Sequence, residues 1–164
     1  MSQPASSPLR DRQALAGRRF LVVDDQHHMI EVVSEMLRHY AAKEVLGAEG
    51  VEAALFRCAG RSDFDCIVCD FNMQPVNGIQ FLQAIRGGQR PEIPRDQRFL
   101  LLTGHGDMDV VKAAKALDVS AYVVKPVAPD TFIKSVTRAM ATAPTLRPPA
   151  DYIAVPTTNL RKLQ

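Results

Sequence analysis

The hydrophobic residues of this chain fall into short unbroken runs, separated by longer stretches in which apolar positions recur at helical spacing. The runs are Phe20-Leu21-Val22-Val23, Cys66-Ile67-Val68-Cys69, Phe99-Leu100-Leu101-Leu102 and Ala121-Tyr122-Val123-Val124, with a weaker one at Glu44-Val45-Leu46-Gly47-Ala48. A strand with one wet face alternates apolar and polar residues, whereas a continuous run suits a parallel strand covered on both faces. Between the runs, Met29, Val32, Val33, Met36, Leu37 and Tyr40 trace one face of a helix, with Glu31, Ser34, Glu35 and Arg38 opposite. Val51, Ala54, Leu55 and Cys58 repeat the pattern, as do Val110, Ala113, Ala114 and Leu117. Phe81, Leu82 and Ile85 mark a further helix stopped at Gly87-Gly88, and a last one runs from about Asp130 to Met140 after Pro129.

Strand and helix therefore alternate five times, which predicts an α/β fold: a doubly wound, five-stranded parallel sheet with five helices and right-handed crossovers. The commonest five-strand arrangement is the flavodoxin-like order 2-1-3-4-5. Residues 1–17, rich in Ser, Pro, Gln and Arg, read as a flexible lead-in. Residues 18–142 form the domain, and 143–164 a Pro-rich tail. Within that tail, Tyr152-Ile153-Ala154-Val155 is more apolar than a solvated segment usually is. Docking on an apolar groove of its own domain or of a dimer partner is one reading; a free tail with a chance apolar cluster is the other.

The strand ends carry the chemistry. The first ends in Asp24-Asp25, the third in Asp70, the fourth in Thr103 and the fifth in Lys125. A parallel sheet places all these ends along one edge, and ligands bind there where the strand order reverses. In the predicted order the reversal lies between the first and third strands, so Asp24, Asp25 and Asp70 converge. Three carboxylates at one place repel one another unless a cation joins them, and an all-oxygen donor set suits Mg²⁺ or Mn²⁺. Lys125 adds a fixed positive charge and Thr103 a hydrogen-bond donor. Phosphoryl transfer needs this kind of positioning and charge neutralisation, and a carboxylate can itself be the nucleophile. Taken singly, the aspartates could be helix caps, Lys125 a loop lysine and Thr103 a turn residue. Four strands delivering such groups to one edge argue against that.

The segments Leu21-Val22-Val23-Asp24-Asp25, Val68-Cys69-Asp70-Phe71-Asn72-Met73, Leu102-Thr103-Gly104 and Tyr122-Val123-Val124-Lys125-Pro126 resemble the receiver domain of two-component response regulators, most nearly the chemotaxis-type single-domain kind. The likeness runs from about Arg18 to Met140. It implies that Asp70 is the phosphoacceptor in a Mg²⁺-dependent reaction. Asp25 and Asp70 would hold the ion through their side chains, Asn72 through its backbone carbonyl and Asp24 partly through water. Thr103 and Lys125 would contact the phosphoryl group, and Tyr122 would be the aromatic switch residue. Asn72 and His105 look placed to affect attack of water on the acyl phosphate. A cis Lys125–Pro126 bond is also implied. The pattern departs at Gln74-Pro75, where the family usually has Pro directly after Met, although Gly78 keeps its eight-residue distance from Asp70.

The resemblance further implies a sensor histidine kinase or histidine phosphotransfer protein as donor, and a protein target reached through the surface around Tyr122. A homodimer is compatible with it. The alternatives are a phosphate sink or relay without a target, and a metal-dependent phosphohydrolase using Asp70 as nucleophile. The hydrolase reading lacks the acid expected two residues after the nucleophile, where Asn72 stands.

Composition narrows the picture further. A hydrophobic fraction of 46% and a charged fraction of 23% are those of a globular domain, and a net charge of +2 argues for neither nucleic acid nor an anionic membrane as partner. No apolar run is long enough for a spanning helix, and the N-terminus lacks the apolar core of a secretory signal, so the cytoplasm is the expected compartment. Cys66 and Cys69 spell C-x-x-C, but residues three apart on a strand point to opposite faces, which disfavours redox or zinc chemistry. His27-His28 and His105 read as solvated polar residues rather than a transition-metal site. Thr103-Gly104-His105-Gly106 lacks the remaining residues of a nucleotide-binding loop.

Overall fold

The computed structural model describes residues 8–104, 108–157 and 160. Five strands, β1 (Arg19–Val23), β2 (Glu44–Ala48), β3 (Cys66–Asp70), β4 (Phe99–Thr103) and β5 (Ala121–Val124), form one parallel sheet in the order β2-β1-β3-β4-β5. The helices are α1 (Pro8–Leu15), α2 (His27–His39), α3 (Val51–Cys58), α4 (Gly78–Arg86), α5 (Met108–Ala116), α6 (Pro129–Ala141) and α7 (Pro149–Ile153). Five of them, α2 to α6, are the helices that the sequence predicts, and α1 and α7 are additional.

Both faces of the sheet are dry. Phe20, Val22, Cys66, Val68, Leu100 and Leu102 pack with Val33 and Leu37 of α2 and Phe132 and Val136 of α6. The alternate positions Leu21, Val23, Ile67, Cys69 and Leu101 pack with Ala54 of α3, Phe81, Leu82 and Ile85 of α4, and Val110 and Ala114 of α5. This two-sided burial is why the strands read as unbroken apolar runs. It also separates Cys66 from Cys69, which lie in different cores as reduced thiols. Burial pushes the Cys66 thiol up to about 12 and the Cys69 thiol well above its ordinary value, so neither supplies a thiolate.

Local sequence explains several boundaries. Helix α4 opens with a capping box: the Gln80 N–H donates to Asn77 Oδ1 at 2.8 Å, and the Asn77 N–H donates to Gln80 Oε1 at 3.0 Å. It closes at Gly87, followed by Gly88 with φ of +74°, where a left-handed residue ends the helix without steric cost.

The lead-in departs from expectation. Pro8–Leu15 is helical rather than flexible: Leu15 is fully buried, and the buried Asp11 carboxylate accepts a 3.1 Å hydrogen bond from Thr137 Oγ1 on α6. One anchoring leucine and a partner 126 positions away leave almost no periodic signal in the sequence. The tail is docked too, with Tyr152 of α7 fully buried against α4.

Arg86, the last residue of α4, is fully buried, and among the described residues its guanidinium donates to main-chain carbonyls alone. Nε reaches Leu117 O at 3.2 Å, one terminal nitrogen reaches Arg95 O at 2.6 Å and Gln97 O at 2.8 Å, and the other reaches Asp118 O at 3.0 Å. This fork organises the long connection from Gly87 to Arg98 and joins it to the end of α5. Burial pushes the guanidinium down to about 10, so it remains charged at neutral pH. Replacing Arg86 by Leu strands four buried or half-buried carbonyls and is expected to cost at least about 3 kcal/mol in urea unfolding. Arg86→Lys should rescue little of this, because an ammonium cannot span the same fork. A stability loss below about 1 kcal/mol for Arg86→Leu would contradict the role.

Candidate functional site

The carboxyl edge of the sheet brings together the residues that the sequence places at strand ends. Asp24 follows β1 directly, Asp70 and Thr103 are the last residues of β3 and β4, and Lys125 follows β5. Asp24, Asp70 and Thr103 are buried, at 2%, 3% and 1% exposure, whereas Asp25 faces solvent. One carboxylate oxygen from each of Asp24, Asp25 and Asp70 lies within 4.8 Å of the others, and this is the one such acidic or histidine cluster among the described residues.

Each buried group is oriented by the backbone around it. Asp24 Oδ1 accepts from the Gln26 N–H at 2.9 Å, which leaves Oδ2 buried without a hydrogen-bond partner among the described residues. Asp70 Oδ2 accepts from the Asn72 N–H at 3.1 Å, and Asp70 Oδ1 has one close partner, the Lys125 ammonium at 2.5 Å. Thr103 Oγ1 is buried with no hydrogen-bond partner among the described residues. The orienting N–H groups of Gln26 and Asn72 belong to the main chain, so they leave no signature in the sequence.

The loops holding these residues are tightly specified. The Lys125 N–H donates to Thr103 O at 2.8 Å, and the Lys125–Pro126 bond is cis, as the sequence reading implies. The altered segment after Asp70 contains a second cis bond, Gln74–Pro75. Gly78 packs against the Asp70 backbone so closely that a Cβ there would fall 2.5 Å from Asp70 O and 2.9 Å from Leu101 Cδ1. A glycine is therefore required at that distance from Asp70. Beside Gly104 a Cβ would meet no described atom within 4 Å, so that flank of Thr103 is open.

Of the remaining candidates, Asn72 adjoins this cluster through its backbone, whereas Tyr122 and His27 have other neighbours. Asn72 is exposed, with its N–H turned to Asp70. Tyr122 is half-buried against the α3–α4–α5 core, with Lys115 Nζ 5.9 Å from its ring centre. His105 lies outside the described residues. His27 is exposed and engages Glu49 at 3.0 Å and Glu31 at 3.3 Å, so it belongs to a surface charge group.

Electrostatically the site lacks positive charge. Burial pushes the Asp24 carboxyl up to about 6, with Asp70 and Asp25 adding repulsion while the Gln26 N–H and Lys125 oppose it. Among the described residues, one ammonium faces three acids. The orphaned Asp24 Oδ2, the adjoining oxygens of Asp25 and Asp70 and the purely oxygen donor set fit a hard divalent cation such as Mg²⁺ or Mn²⁺. Such an ion would neutralise the acids and draw charge from a phosphoryl group beside them.

Comparison with known proteins gives concordant results. The family model described as the response regulator receiver domain matches residues 20–137. The chain is 30% identical over 115 residues to the chemotaxis protein CheY1 of Helicobacter pylori, which covers 70% of this chain and 90% of that protein. It is 28% identical over 165 residues to the virulence sensor protein BvgS of Bordetella bronchiseptica, covering 96% of this chain and 13% of that much longer protein. Among solved structures, the chemotaxis protein CheY4 of Vibrio cholerae superimposes with a TM-score of 0.66 at 28% identity, over 76% of this chain and 99% of that one.

The raised Asp24 carboxyl sets two expectations. Its folded pKa of about 6 lies above the ordinary 3.8, so its protonated form favours folding. That contribution is complete below pH 3.8 and is lost as the pH rises through about 6. At pH 7 the metal-free protein thus carries a cost of about 3 kcal/mol. Asp24→Asn should raise the melting temperature of the metal-free protein at pH 7 and abolish further stabilisation by Mg²⁺. In the unaltered protein, Mg²⁺ affinity should be flat above pH 7 and fall up to tenfold per unit below pH 6, as protons compete for Asp24. Calorimetric titration checks both, and pH-independent affinity between 5 and 7 would contradict the assignment.

Proposed function

The chain belongs to the response regulator receiver domain family, and from that premise we propose that Asp70 accepts a phosphoryl group in a Mg²⁺-dependent reaction. The observation that carries this reading is the setting of Asp70: buried, paired with Lys125 at 2.5 Å, and within reach of the two acids that follow β1. A carboxylate oxygen of Asp70 attacks phosphorus as the phosphorus–nitrogen bond of a donor phosphohistidine breaks. The bonding pair of that bond stays on the departing imidazole nitrogen, and an aspartyl phosphate forms. The Asn72 N–H fixes the rotation of the carboxylate. Lys125 follows the charge onto the new phosphoryl group, and the unpartnered Thr103 hydroxyl gains an acceptor there.

A divalent cation, when bound, supplies the charge neutralisation that lets an anionic nucleophile approach an anionic donor. Asp24, Asp25 and Asp70 would hold it, together with the Asn72 carbonyl. Asn72 and His105 would tune the attack of water that ends the phosphorylated state. Thr103 moving toward the phosphoryl group would let Tyr122 turn inward, which couples the site to the surface beside β5.

The donor is proposed to be a sensor histidine kinase or a histidine phosphotransfer protein, and the output a protein–protein contact, with a homodimer compatible. Residues 18–142 would constitute the receiver unit, with α1 and the tail appended. No described helix is long and apolar enough to cross a membrane. We place the protein in the cytoplasm, where the proposed donors act. A hydrolase reading is disfavoured because Asn72 is an amide and cannot act as the general acid that protonates a leaving alcohol.

Acetyl phosphate should therefore add the mass of one phosphoryl group only when Mg²⁺ or Mn²⁺ is present, and Asp70→Asn should abolish the addition. Lys125→Ala should slow labelling by at least about tenfold. Intact-mass spectrometry over time reads all three, and full labelling of Asp70→Asn would refute the acceptor assignment.

A further inference from the structure

The tail beyond α6 lies across the ends of α4 and α5, and its contacts are chemically specific. One side-chain amide, Gln83 Nε2 of α4, donates to the carbonyls of Tyr152 at 2.9 Å, Val155 at 2.8 Å and, more weakly, Ile153 at 3.3 Å. Gln83 Oε1 accepts from Thr157 Oγ1 at 2.9 Å, so both ends of one amide read the tail. The Tyr152 ring is fully buried, and its hydroxyl donates to Asp118 Oδ2 at 2.7 Å while accepting from the Arg147 N–H at 3.0 Å. Arg147 closes the loop by donating to Asp118 Oδ2 and to Ala116 O at the end of α5. Its guanidinium carbon sits 4.7 Å from the Tyr152 ring centre, with that of Arg95 at 5.8 Å on the same ring.

Both helices that the tail bridges begin at the candidate site. Helix α4 starts at Gly78, against the Asp70 backbone, and α5 starts at Met108, five residues after Thr103 at the end of β4. Asp118, the tail's anchor, sits just beyond α5 with φ of +51°, its carbonyl held by Arg86 of α4. Tyr152 and Arg147 therefore bond to the end of α5, while Gln83 ties the same segment to α4. A shift of α5 relative to α4 would pull Asp118 from the buried Tyr152 hydroxyl, and buried polar groups tolerate such a loss poorly.

We propose that the α4–α5 groove is a binding site for the chain's own segment 147–157, and that this strap is a latch on the unphosphorylated arrangement, released when Asp70 is phosphorylated. The proposal rests on the phosphoacceptor reading above: when Thr103 gains an acceptor on the phosphoryl group, the start of α5 is drawn toward Asp70. The strap binds one arrangement of the two helices better than the other, so coupling is reciprocal. Phosphorylation weakens strap docking, and weakening the strap favours the phosphorylated arrangement. Release exposes Tyr152 and uncovers the face of α4 for a partner.

The test uses the full chain with beryllofluoride and Mg²⁺ as the phosphoryl mimic. Occupancy of Asp70 is read by fluorine NMR and strap docking by hydrogen exchange of the peptide spanning 148–157. With the mimic bound, exchange in that peptide should rise by at least about tenfold, while the β1 and β3 amides keep their protection. Tyr152→Phe removes the hydroxyl but keeps the ring, and Gln83→Ala removes the amide within a helix that favours alanine. Each should bind beryllofluoride about fivefold more tightly than the unaltered chain, so either suffices if the other fails to fold. Bound mimic with unchanged or slower exchange in the strap, or affinity unchanged in a folded variant, overturns the latch and leaves the phosphoacceptor reading standing. Absence of any bound fluorine signal overturns the phosphoacceptor reading, and the latch falls with it.

Discussion

The mutual repulsion of Asp24, Asp25 and Asp70 is the constraint around which this molecule is arranged. Two of the three are buried, and one lysine is the close counter-charge. Such a cluster persists only because the sheet is over-determined elsewhere: two dry cores hold β1 and β3 in register, and main-chain N–H groups fix the acids' rotations. The same repulsion gives the site its chemistry. It suits the site to a divalent cation and adds to the burial that holds the Asp24 carboxyl near 6, while Lys125 faces Asp70 as the charge that would follow a phosphoryl group in the proposed reaction.

The opposite ends of the helices are held by different means. Arg86 gathers carbonyls from the connection after α4 and from the end of α5, replacing regular secondary structure with one charged fork. A charge without a carboxylate at hydrogen-bond distance is costly to bury, but four carbonyl dipoles distribute that cost. The fork also sets Asp118, whose side chain receives Tyr152 and Arg147 from the tail. Core, connection and tail thus meet at one residue, with the candidate site at one end of α4 and α5 and the tail bound at the other. The added segments at the two termini fall on opposite faces: α1 lies against α6, and the tail against α4.

Much of this was legible in the sequence. Unbroken apolar runs marked the parallel strands, helical periodicity marked the five helices that follow them, and turn residues such as Gly87-Gly88 marked where helices stop. Strand ends then located Asp24, Asp25, Asp70, Thr103 and Lys125 on one edge, because topology alone decides which ends of a parallel sheet coincide. The face alternation of Cys66 and Cys69 followed from the period of two.

What tertiary structure alone decided are the pairings between residues far apart in sequence. Asp11 with Thr137, Gln83 with Tyr152 and Thr157, and Tyr152 with Asp118 each join short polar groups whose types are common everywhere. Sequence shows Tyr152 followed by Ile153, but not that the ends of α4 and α5 offer it a groove with Asp118 as its hydroxyl acceptor. Nor does it separate buried Asp24 from exposed Asp25, since both follow the same strand and differ only in what folds over them. Periodicity is a local property, repeated at every turn or pleat, and so the chain carries it openly. A single long-range hydrogen bond occurs once, depends on two segments arriving together, and exists as information only when the chain has folded.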